Sequence, residues 1–143
     1  MANRSFNRLQ ALDKEIKIIQ GQFTVGSTGA PTLVENKSVG VKSVARSAAG
    51  DYAITLGTPS GSSDIYPHFY NAFITCQKGT AFSSTEGGVG GMIKSSTVNS
   101  DGVLNVFILA ADGAAKEVPS GATVHFTLIL KNSDLAGVGA GSV

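Results

Sequence analysis

Residues 40–57, GVKSVARSAAGDYAITLG, decide the fold class. In the second arm Tyr52, Ile54 and Leu56 fall on one face of an extended chain, with Ala53 and Thr55 on the other. A period of two is the signature of a strand with one buried side. The first arm starts in the same way, with Val39 and Val41 sharing a face, and then slips. Strict alternation runs on through Ser43 and Ala45, yet Val44 is the larger apolar residue. A one-residue slip reverses every later side chain, and a β-bulge near Lys42 and Ser43 repairs it. Residues 47–51 (SAAGD) form the turn, with Gly50 free to take a positive φ. The stretch therefore reads as an antiparallel hairpin.

The same signals recur outward from the hairpin. Residues 15–26 (EIKIIQGQFTVG) read as a strand, with Ile19, Phe23 and Val25 on one face and Ile16 and Ile18 on the other. Residues 26–36 read as a loop held extended near Pro31. Residues 67–78 (PHFYNAFITCQK) form a long strand on which strict alternation pairs Phe69 with Phe73 and Tyr70 with Ile74. Residues 92–97 make a short strand, and NSDG at 99–102 a strong turn. Residues 103–111 (VLNVFILAA) are apolar on both faces except at Asn105. Residues 123–131 (TVHFTLILK) alternate best, with Val124, Phe126, Leu128 and Leu130 inward. About seven strands joined by turns and short loops predict an all-β fold. The expected form is an antiparallel β-sandwich or a jelly-roll-like barrel over residues 15–131.

The two ends read differently. Residues 1–14 are polar, with Phe6, Leu9 and Leu12 recurring near every third position. They make either a short amphipathic helix or an extended arm, and both need something to pack on. Residues 132–143 form a small, Gly-rich tail, expected to be flexible unless docked.

Composition narrows the function classes. The 143 residues suit one domain. Only 15% are charged and the net charge is +1, so bulk charge gives no reason to expect nucleic acid or anionic lipid as a partner. Low charge also does little to keep copies apart. No stretch approaches the roughly 20 apolar residues of a membrane span. The first residues lack the apolar core of a signal peptide, so synthesis in a cytoplasm is expected. The single cysteine, Cys76, cannot cross-link its own chain, and its apolar strand context predicts an inert buried thiol.

No motif spells out a reaction. In GGVGGMIKS at 87–95, Met92 and Ile93 separate the glycines from Lys94, which breaks the phosphate-loop pattern. Ser60 sits in GTPSG, without nucleophile-elbow spacing or a following helix. His68 and His125 fall on different strands and lack a second ligand at short spacing, so they read as surface or packing residues. Asp64, Asp101, Asp112 and Asp134 occupy turn-like contexts. Tyr52, Tyr66, Tyr70 and the phenylalanines have no Trp or basic cluster beside them and read as core filling rather than a stacking platform. No catalytic, metal or cofactor residue is assigned. What stands out is apolar character on both faces of residues 69–74 and 103–110, which points to a central strand or a subunit contact.

Three motifs carry a resemblance. Gly40-Val41-x-Ser43-Val44-x-Arg46 with Gly50-x-Tyr52-x-Ile54-Thr55-Leu56 resembles a hairpin of small virion proteins of tailed bacteriophages. Residues 124–130, VHFTLIL, followed by Asn132-Ser133, are similar to the closing strand of such proteins, and residues 21–25, GQFTV, to their opening one. The resemblance implies a head decoration, or cement, protein. Such a protein sits on the outer capsid surface of the virion, often as a homotrimer, and bridges subunits of the major capsid protein. On this reading Phe6, Leu9 and Leu12 dock on the coat or a neighbouring copy, and Tyr70 and Phe107 seal the oligomer. A receptor- or carbohydrate-binding module on the phage tail is the alternative, and a small hydrolase a third reading.

Overall fold

The computed structural model describes residues 16–132, and they fold into two packed antiparallel sheets. In chain order the strands are β1 (Ile16–Val25), β2 (Pro31–Leu33), β3 (Val41–Ala48), β4 (Asp51–Leu56), β5 (His68–Gln77), β6 (Gly90–Thr97), β7 (Val103–Leu109) and β8 (Thr123–Lys131). One four-stranded sheet has the order β2-β1-β8-β5 and the other β3-β4-β7-β6. The only helical turn among the described residues is a 3-10 turn at Glu35–Lys37. The architecture is an all-β sandwich, and it has eight strands where the sequence predicts about seven.

Alternation explains the core. Ile19, Phe23 and Val25 of β1 face Val124, Phe126, Leu128 and Leu130 of β8 within one sheet. Tyr52, Ile54 and Leu56 of β4 and Leu104, Val106 and Ile108 of β7 cover them from the other. All are buried, and each apolar side chain so removed from water contributes about 1.5–3 kcal/mol. One glycine is part of this packing. Gly21 lies opposite Phe126, whose ring occupies the space a Cβ at position 21 would fill.

The expectations fail where pairing partners override alternation. The extra strand is β2, three residues inside the expected loop at 26–36, which pair with Phe23–Val25. Val39 does not share a strand face with Val41; it precedes β3 and is 82% exposed. The bulge expected in β3 is present, between Val41 and Ser43, and it turns Val44 toward the core opposite Ile54. Phe69 and Phe73 do not share a face. A register shift between Phe69 and Asn71 places an extra residue, Tyr70, in β5, so Phe69, Ala72, Ile74 and Cys76 pack on the core while Tyr70 and Phe73 are exposed.

Every one of the seven connections between strands contains a glycine at positive φ, from Gly29 between β1 and β2 to Gly121 before β8. That backbone region is strained for other residues. Eight of the 18 glycines serve these connections.

Candidate functional site

Two surfaces stand out once the strands are placed. The first is the outer face of the β2-β1-β8-β5 sheet. Ile16 and Ile18 of β1 project there, 45% and 61% exposed. Ile18 lies beside half-buried Ile129 of β8, and Ile129 pairs with Asn71 of β5 next to the bulged Tyr70. Phe73 continues the row one pair further along. Tyr70 and Phe73 are 52% and 55% exposed. Period two puts these residues on one side of the sheet, and the bulge brings Tyr70 to the side of its neighbour Asn71. The result is an apolar cluster at one end of a sheet face. Contiguous exposed apolar groups mark association sites.

The second surface is a strand edge. Ser38 is buried, and its hydroxyl accepts a hydrogen bond from the Gln22 amide at 3.0 Å and donates one to the Gln22 carbonyl at 3.1 Å. The Val34 amide reaches the same carbonyl at 3.0 Å. With β2 on residues 23–25, these contacts close the lower half of the β1 edge. Backbone groups of a strand point alternately to its two sides. Gln22 faces away from β8, so Gln20, Ile18 and Ile16 do as well, and no described residue pairs with them on that side. A groove of about 800 Å³ runs along this open half, lined by Lys17, Ile18, Ile19, Gln20, Val39 and Tyr66 among others.

Polar side chains among the described residues tie strands and loops to one another. The Tyr52 hydroxyl is 3.1 Å from the Gly29 carbonyl oxygen and 3.2 Å from Glu117 Oε1, and it donates to them. Arg46 Nε donates to Glu117 Oε2 at 3.0 Å, and its terminal nitrogen forms a further ion-paired contact. Burial first, then the Glu117 charge, pushes the Tyr52 phenol well above its ordinary value. On the outer face of the other sheet Lys94 Nζ lies 2.5 Å from Asp51 Oδ2 and 5.0 Å from the centre of the Phe107 ring. Asp51 Oδ1 is buried without a hydrogen-bond partner. In the loop before β6, Lys78 Nζ donates to both Glu86 carboxylate oxygens at 2.9 and 3.0 Å, and the Ser83 amide donates to Glu86 at 2.8 Å. The Ser83 amide first, then Lys78, lowers the Glu86 carboxyl.

The residues singled out in the sequence fall as follows. Phe6, Leu9, Leu12 and Asp134 lie outside the described residues. Tyr70 is exposed on one outer face; Phe107 is half-buried on the outer face of the other sheet, so one copy does not bring them together. His68 pairs with Lys131 and His125 with Thr75, which separates the two histidines by about 20 Å of strand. His125 Nε2 lies 3.1 Å from Gln77 Oε1. No group of three or more metal-ligating side chains forms among the described residues. Gly87 and Gly88 lead into β6, an edge strand that Gly90 and Gly91 begin. Cys76 is half-buried, and burial pushes its thiol up to about 11. The open β1 edge was missed because no residue type marks it; only the placement of β2 and Ser38 exposes it.

No family model matches this chain, and no curated protein or solved structure shows significant similarity to it. The likeness to decoration proteins accordingly rests on the hairpin and strand motifs alone.

Proposed function

We propose that this protein is a structural virion component that stabilises a phage capsid by binding its outer surface, without catalysis. The observation that carries the reading is the apolar row of Ile16, Ile18, Ile129, Tyr70 and Phe73 on an outer sheet face. A core already complete between the sheets has no need of these side chains, so they are available to a partner.

Stabilisation is thermodynamic. A protein that binds only the assembled lattice shifts its equilibrium by mass action. A stable interface buries roughly 1,600 Å². Several weaker contacts on one oligomer gain through effective concentration. Phe6, Leu9 and Leu12 supply contacts to the major capsid protein or a neighbouring copy. In a homotrimer the sheet face of Tyr70 meets the Phe107 face of the next copy, a head-to-tail contact that closes into a ring.

A shallow polar depression of about 250 Å³, lined by Gln20, Gln22, His125 and Thr127 among others, favours the tail-associated carbohydrate-binding reading as the second choice. Mass-spectrometric stoichiometry of purified particles decides between them. Hundreds of copies per particle support the capsid reading; a handful, with glycan binding by the isolated protein, replaces it.

A further inference from the structure

The edges of a sandwich are liabilities, because their unpaired amides and carbonyls template further strands. Three of the edges here are broken by irregularity. β3 carries register shifts at Val41/Ser43 and Arg46/Ala48, β5 at Phe69/Asn71 and β6 at Ile93/Ser95. On the fourth, β2 and Ser38 cover β1 only as far as Gln22. Residues 16–20 remain in unbroken register with β8 and border the 800 Å³ groove. Bordered by this groove, and paired on that side by no described residue, residues 16–20 are the edge best placed to take an added strand.

We propose that the open half of β1 accepts an added strand, and that the strand is the N-terminal segment of a second copy, residues 5–12. The Ile18 and Gln20 amides and carbonyls would form the ladder, and Ile19, Val39 and Tyr66 the apolar floor and wall. Residues 13–15 join this segment to Ile16 and reach about 10 Å, so the accepting β1 lies close beside the donor's own Ile16. The choice of a second copy follows from turn chemistry. Each described connection reverses through a positive-φ glycine, whereas residues 1–20 contain no glycine. Asp13-Lys14-Glu15 lacks the glycine that the shortest hairpin loops favour for laying the segment on its own β1. Phe6, Leu9 and Leu12 provide apolar side chains on both faces of the incoming strand. Exchange of this kind, each copy giving to the next, closes into a ring when the rotation between copies is a whole fraction of a turn. The inference concerns contacts between copies and does not rest on capsid binding.

The test compares the full chain with the full-length F6D/L9D/L12D variant by residue-resolved amide exchange and native mass spectrometry. The wild-type chain is expected to be oligomeric, with Ile18 and Gln20 amides protected. In the variant the oligomer is lost and these two amides exchange at least roughly tenfold faster. The Ile19 and Phe23 amides, which face β8, stay protected in both and report that the fold is intact. Fast exchange at Ile18 and Gln20 in the wild-type oligomer overturns the proposal. So does protection in a wild-type monomer, which assigns the edge to the chain's own segment. Protection undiminished in the variant overturns it as well, assigning the edge to another occupant.

Discussion

The Ser38 hydroxyl bonds both backbone groups of Gln22, accepting from its amide and donating to its carbonyl. One side chain thus stands in for one residue of a missing strand. Ser38→Ala leaves the Gln22 amide without that partner on a half-buried edge, and an orphaned donor costs about 1–3 kcal/mol. Urea unfolding is expected to show a lower midpoint at unchanged slope, and amide exchange a faster Gln22.

Gly21 and Phe126 form a pair in which the ring fills the glycine's empty side. A Cβ at position 21 would stand 2.4 Å from Phe126 Cζ. The ring is buried and flanked by Phe23, so it has little room to give. Gly21→Ala is expected to destabilise by about 1–3 kcal/mol, as overpacking does. Gly21→Ala with Phe126→Leu should lose less than the sum of the two single changes, and a double-mutant cycle by thermal unfolding measures that coupling.

Alkaline pH acts through buried acids that prefer their neutral forms. Burial raises the Tyr52 and Tyr66 phenols, and it raises the Cys76 thiol to about 11. A group whose folded value is raised contributes fully below its unfolded value and loses that contribution as pH climbs toward the folded one. The unfolded values are about 8.5 for Cys and about 10 for Tyr. Stability should therefore hold through neutral pH and fall from about pH 9 upward. Tyr52→Phe flattens the upper part of that decline, and Cys76→Ser the lower. Cys76 should also react slowly with thiol reagents at pH 8 until the protein is unfolded.

Lys94 covers a carboxylate that has one oxygen already unsatisfied. Lys94→Met removes the partner of a buried Asp51 and is expected to cost about 1–3 kcal/mol. Asp51→Asn combined with Lys94→Met should recover part of the loss, because the stranded charge is gone. Equilibrium unfolding of the three variants checks this order.

Tyr70→Lys and Phe73→Lys place charge on the apolar outer face without touching the core. Exposed substitutions of this kind change stability within about 0.5 kcal/mol. Association with particles or with sister copies is expected to fall at least roughly tenfold, a loss of about 1.4 kcal/mol of binding. Sedimentation with purified capsids measures it, and unaltered association in both variants removes this face from the proposed function.

The alternating residues of β1, β4 and β8 were readable one letter at a time, whereas β7 is apolar on both faces in sequence and its inward set of Leu104, Val106 and Ile108 is fixed by its place beside β4. A strand buried on one side must repeat every second residue, and those four strands supply most of the core. The β3 bulge was readable too, because Val44 breaks phase within a well-marked hairpin. Other features depended on partners distant in the chain. β2 is three residues long, too short to show a period, and exists because β1 pairs with it. The bulge at Tyr70 is set by the register of β5 on β8, so alternation counted straight through it assigns Phe73 to the wrong face. Tyr52 meets Glu117 across 65 residues of sequence. The open half of β1 is defined by where β2 and Ser38 stop. Burial periodicity is a local property that each strand carries in its own residues, whereas register, edges and exposed surfaces are relations between strands that exist only after they have packed.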